Sequence, residues 1–170
     1  MNSAPLASAE LEVGRRRWVR WLWIPVLAVV VASAWWWAFH PADLPTSDRR
    51  LTATVKAGQT VYIGVPTGDA TERTLTLHSV KAAAEGAEVD TWVCHGGSIS
   101  MTTRPEPFCE AWTDAEDAEL RLGGGDQLVL GVHADSPGVV EVDRVRIDFS
   151  DGLQRGTSDF GPTFAVDFLG

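Results

Sequence analysis

Between Trp21 and Phe39 the chain runs for 19 residues without a charge, and no other feature constrains its fold as much. At about 1.5 Å per helical residue such a run spans about 28 Å, close to the thickness of a hydrocarbon core. It predicts a single transmembrane helix over residues 18–39. Trp18, Trp21 and Trp23 stand at one end of the run and Trp35, Trp36 and Trp37 at the other, where indole rings suit the headgroup interface. Pro25 falls in the first turns, where its missing N–H costs least. Arg15, Arg16, Arg17 and Arg20 precede the run, so the positive-inside rule places a short tail, residues 1–17, in the cytoplasm and everything after the helix outside it. A cleaved export signal is the competing reading, since Ala32-Ser33-Ala34 has the small-residue pattern of a cleavage site. Cleavage there would leave Trp35-Trp36-Trp37-Ala38-Phe39 as an exposed apolar N-terminus, a sequence better suited to a membrane-interface belt.

Charge divides the chain at the same place. Residues 1–20 carry four Arg against two Glu, whereas residues 45–170 carry 10 Lys or Arg against 20 Asp or Glu. An acidic domain of this kind repels phosphate backbones, which argues against nucleic acid as a partner, and it stays soluble by self-repulsion.

Residues 40–50, with Pro41, Pro45, Thr46 and Ser47, read as a spacer, and residues 51–170 as one extracytoplasmic domain. Its hydrophobic period is two rather than 3.6. Leu51–Val55, Val61–Val65, Arg73–Val80, the pair Leu120 and Leu122, and the run Leu128, Leu130 and Val132 alternate with polar residues, as do Val140 and Val142, then Val145, Ile147 and Phe149, then Phe164, Val166 and Phe168. Turn residues separate them, among them Lys56-Ala57-Gly58-Gln59, Gly123-Gly124-Gly125-Asp126 and Ser150-Asp151-Gly152. A change of parity between Val142 and Val145 predicts a bend near Asp143 and Arg144. Lys81–Glu88 and Ala111–Ala118 read as connections. The pattern predicts an all-β domain, an antiparallel β-sandwich of immunoglobulin-like or fibronectin-III-like order, with a barrel as the alternative. With only two lysines, Lys56 and Lys81, the chain resembles the small envelope-anchored sandwich proteins common in high-GC bacteria.

Cys94 and Cys109 both fall on the outer side of the predicted membrane, where an even cysteine count favours a disulfide. The bond would fix the ends of a loop containing His95, Met101, Arg104 and Phe108, which we take as the candidate contact surface. His78, Cys94, His95, Met101 and His133 are residue types that a copper carrier uses, but adjacent Cys94 and His95 are badly spaced to share one metal. Asp114, Glu116, Asp117 and Glu119, with Asp126, offer oxygen ligands for calcium without the spacing of an EF-hand.

Catalytic signatures fail on inspection. Gly96-Gly97-Ser98-Ile99-Ser100 lacks the final glycine of a nucleophile elbow, and Asp159-Phe160-Gly161 stands without the rest of a kinase set. There is no phosphate-binding or dinucleotide fingerprint. No catalytic residue, cofactor or bound metal is expected. The expected function is a non-enzymatic binding or accessory module of the cell envelope, partnered by the bilayer and by a protein or cell-wall component, with a copper or calcium carrier as the alternative.

Overall fold

The computed structural model describes residues 16–67 and 72–170, with side chains from Trp23 onward. Arg15 lies outside the described residues, as do the side chains of Arg16, Arg17, Trp18, Arg20 and Trp21. The chain divides into two units that meet between Trp37 and Ala38.

The first unit is built on helix α1 (Arg16–Ala38), which contains Pro25. Every described side chain from Trp23 to Trp37 is exposed, so over this stretch the helix presents apolar residues on all sides and buries none of them among the described residues. Among the described residues no helix is long and apolar enough to cross a membrane. The described side chains begin inside the uncharged run rather than at its start.

The second unit is made of strands: β1 (Thr46–Lys56), β2 (Val61–Gly64), β3 (Arg73–Lys81), β4 (Glu88–His95), β5 (Met101–Thr102), β6 (Ala111–Asp114), β7 (Glu119–Leu122), β8 (Gln127–His133), β9 (Gly138–Val142), β10 (Val145–Asp151) and β11 (Gln154–Leu169). They form two sheets. One runs β1-β11-β10-β3-β7 with β9 also paired to β11, and the other runs β5-β2-β8-β4-β6. Strict alternation explains the packing: in β7 and β10 every second residue is buried, and Leu75, Leu77, Leu120, Leu122, Leu128, Leu130, Ile147, Phe149, Phe160, Phe164 and Phe168 fill the space between the sheets.

The expected sandwich is present, but its strand order is not the immunoglobulin one. That fold keeps its first, second, fifth and fourth strands in one sheet and the third, sixth and seventh in the other. Here, leaving aside β5, β9 and β11, the remaining eight strands pair from the outside of the sequence inward: β2 with β8, β3 with β7, and β4 with β6. The first and last of them, β1 and β10, are joined through β11, which lies parallel to β1 and antiparallel to β10. This folded-ribbon pairing is a jelly roll. The physical reason is the hairpin β4–β6, built from segments that read as featureless between β3 and β7; it adds two strands to the second sheet and forces β7 to cross back to β3.

The strand β11 serves two neighbourhoods because Gly161 interrupts it. With φ of +74° it adopts a conformation few other residues tolerate, and its N–H donates to the Pro45 carbonyl at 3.0 Å. Before Gly161 the strand pairs with β10; after it, with β1 and β9. The segment read as a spacer is therefore largely part of the domain. Leu44 is buried, β1 starts at Thr46, and Asp48 forms an ion pair with Arg144. The predicted bend appears between Val142 and Val145, where the Asp143 N–H donates to the Ala83 carbonyl at 3.0 Å.

Candidate recognition surface

Alternation in the second sheet sends Val61, Ile63, Leu128, Leu130, Val132 and Val93 into the core, and so turns Tyr62, Val129, Trp92 and Cys94 outward. The neighbouring strand β6 adds Trp112 opposite Cys94. Five apolar or aromatic side chains on an outer face need a cover. Part of it they supply themselves: the Trp92 and Trp112 rings stack with centroids 5.7 Å apart, and Tyr62 meets Trp112 edge-on at 5.8 Å.

The loop between β4 and β6 supplies the rest. Cys94 and Cys109 are joined by a disulfide, with Cα atoms 5.3 Å apart. Ile99 is driven beneath the loop to 4% exposure and packs with Cys94 and Val129. Its N–H donates to the Gln127 side-chain oxygen at 2.6 Å, the Gly97 N–H to the Gly125 carbonyl at 2.9 Å, and the Glu110 N–H to the His95 carbonyl at 2.9 Å. At Gly64 the absence of a side chain is essential, because a Cβ there would collide with the Ile99 carbonyl and the Gln127 amide. The first half of the loop is thus bonded down, and β5 extends the sheet edge along β2. What remains outward is a strip containing Met101 at 41% exposure, Arg104, and Phe108 at 50%.

His95, the fourth expected contact residue, is used differently. Its Nδ1 faces Asp126 Oδ2 at 3.2 Å and its Nε2 faces Thr113 Oγ1 at 3.0 Å. Asp126 has a side chain only 1% exposed and accepts a two-pronged contact from Arg121, Nε and a terminal nitrogen each at 3.0 Å, as well as the backbone N–H groups of Arg121 and Gly96. Burial alone would raise the pKa of this carboxyl, but the hydrogen bonds from Arg121, His95 and the two backbone groups outweigh it and hold it at about 2. The cluster locks the base of the loop to the turn between β7 and β8, and so joins the two sheets.

The residues considered for metal binding do not converge. The Cys94 sulfur is consumed by the disulfide. His78 sits at a bulge in β3 against Ser150 Oγ at 3.1 Å, and His133 at the end of β8 faces Asp135 at 3.3 Å. Asp114 accepts the Glu116 N–H at 2.9 Å, while Asp126 turns away from the acidic stretch toward Arg121. Among the described residues no group of three or more His, Cys, Asp or Glu is placed to hold a metal ion.

Three contributors escape a reading of pattern alone: the Trp92, Trp112 and Tyr62 cluster, Gln127, and the Asp126 cluster. A signal for the first exists in the sequence, since six of the eight tryptophans belong to the uncharged run and its flanks, leaving Trp92 and Trp112 without a role. Compared with known proteins, the chain matches no family model and no curated protein.

Proposed function

We propose that this chain is a single-pass membrane protein with its N-terminus in the cytoplasm, whose extracytoplasmic jelly-roll domain is a non-enzymatic binding or accessory module of a bacterial cell envelope. The anchor rests on the 19-residue uncharged run behind four arginines and on the exposed apolar girth of α1 from Trp23 to Trp37. One observation carries the binding role: a disulfide-closed loop, hydrogen-bonded onto an aromatic outer face, holds Met101, Arg104 and Phe108 outward on a rigid support. A pre-organised loop loses little backbone entropy when it binds, and Met, Arg and Phe are enriched in protein interfaces, which favours recognition of another protein over catalysis.

Photo-crosslinking in intact membranes tests it. A crosslinking residue at Met101 or Phe108 is expected to capture a discrete partner that the same residue at Asp135 does not; equal, diffuse capture at all three positions would sink the binding role. Alkaline carbonate extraction tests the anchor, and release of the full-length chain into the soluble fraction would refute it.

A further inference from the structure

The turn between β10 and β11 has a composition the fold does not demand. Two-residue hairpin turns call for Gly, Asn or Asp, and Gly152 with φ of +58° answers that need. The residue beside it is Leu153, at 85% the most exposed of the large apolar side chains described. Such a side chain gains nothing from the folded domain. Arg155, also exposed, follows two residues later.

Strand register shows where this turn lies. Thr46 of β1 is opposite Gly161 of β11 in a parallel pair, and the Pro41 ring packs over Gly156, five residues back on both segments. The second unit begins at Ala38, three residues before Pro41, and β11 begins at Gln154, two residues before Gly156. Arg73 ties the two segments together, donating to the Ala42 carbonyl and forming an ion pair with Asp151 at 3.1 Å. The turn therefore lies at the same end of this unit as the segment by which the chain enters it. Loops at the opposite end, residues 82–88, 114–119 and 133–138, contain seven Asp or Glu and no Lys or Arg. At the turn's own end Asp43, Glu72 and Asp151 are accompanied by Arg73 and Arg155, so the far end is the one an anionic lipid surface repels more strongly.

From this juxtaposition we propose that the β10–β11 turn is a second membrane contact. Leu153 enters the boundary between headgroups and acyl chains of the leaflet from which α1 emerges, and Arg155 reaches the lipid phosphates while its stem lies along the apolar layer. The domain then rests on the bilayer at two points instead of swinging on one tether. This rests on the membrane-anchored reading above, and on the belt formed by Trp35, Trp36 and Trp37 lying at the interface.

The test uses the full-length chain in phosphatidylcholine and phosphatidylglycerol vesicles, with the native disulfide formed before labelling. A polarity-sensitive fluorophore is attached at Leu153→Cys, and in a separate protein at Ser136→Cys beyond the far end of β8. The expected result is a blue-shifted probe at position 153 that is quenched by a spin-labelled lipid and shielded severalfold from iodide relative to position 136. Equal iodide access at both positions, with the chain still resistant to carbonate extraction, overturns the second contact and leaves the anchor intact. A chain that carbonate strips from the vesicles overturns both. Leu153→Asn, which should melt at the temperature of the unaltered protein, is expected to increase the rotational freedom of a probe at position 136; no increase also counts against the proposal.

Discussion

The two sheets of this domain show opposite outer faces. On the six-stranded sheet, Thr74, Thr76, Arg146, Asp148, Arg155, Thr157 and Asp159 point outward, a polar surface that water covers without help. On the five-stranded sheet the outward residues include Tyr62, Val129, Trp92, Cys94 and Trp112, and a loop, a disulfide and a buried carboxylate cluster are recruited to cover them. An outer face that obeys alternation needs no further structure, whereas one that breaks it must be closed over, and the closure becomes a rigid platform for exposed groups.

Substitutions can break this contrast. Replacing both Cys94 and Cys109 with Ala should have the largest effect, a loss of about 3 kcal/mol in denaturant unfolding from a loop of this length, accompanied by protease cleavage near Met101. Asp126→Asn should cost about 2 kcal/mol at neutral pH, since the carboxyl falls from its ordinary 3.8 to about 2 in the folded state. The sign follows from that depression: the stabilisation is complete above pH of about 4, and is lost as pH falls through about 2, so the variant and the unaltered protein should converge in acid. If their stabilities stay apart at low pH, the cluster is not held by charge. Trp112→Ala should cost about 1.5 kcal/mol, less than a fully buried Trp, and should remove most of the near-ultraviolet circular dichroism of the stacked pair. On the opposite face, Thr157→Ala should stay within about 0.5 kcal/mol of the starting stability. A larger loss there would dissolve the distinction between the faces.

The same contrast explains what could be read from pattern. Strands such as β7 and β10 are evident because polar and apolar residues alternate cleanly along them. In Glu88–His95 the inward Val89, Thr91 and Val93 are interleaved with outward Trp92 and Cys94, so apolar residues occupy both faces and the period disappears. Ala111–Asp114 is only four residues long. Missing this hairpin turns a jelly roll into an apparent immunoglobulin order, although the sandwich itself is legible. At the candidate surface, the disulfide follows from having only two cysteines in the chain. The role of Asp126 does not, because an Asp after three glycines reads as a solvated turn residue until the fold brings Arg121 and His95 against it. His95 was expected on the contact strip for the same reason: its position in the loop says nothing about which way the ring turns.

The parallel pairing of β1 with β11 has a mechanical consequence. β1 is the first strand after the segment leading from the helix, and from Arg50 to Lys56 it is matched residue by residue with Thr163 to Leu169. A pull transmitted through that segment acts along the strand, across the direction of its hydrogen bonds, and loads them together in shear rather than opening them one after another. The first strand of the domain is thus held to its last by a seam that resists a pull along the chain.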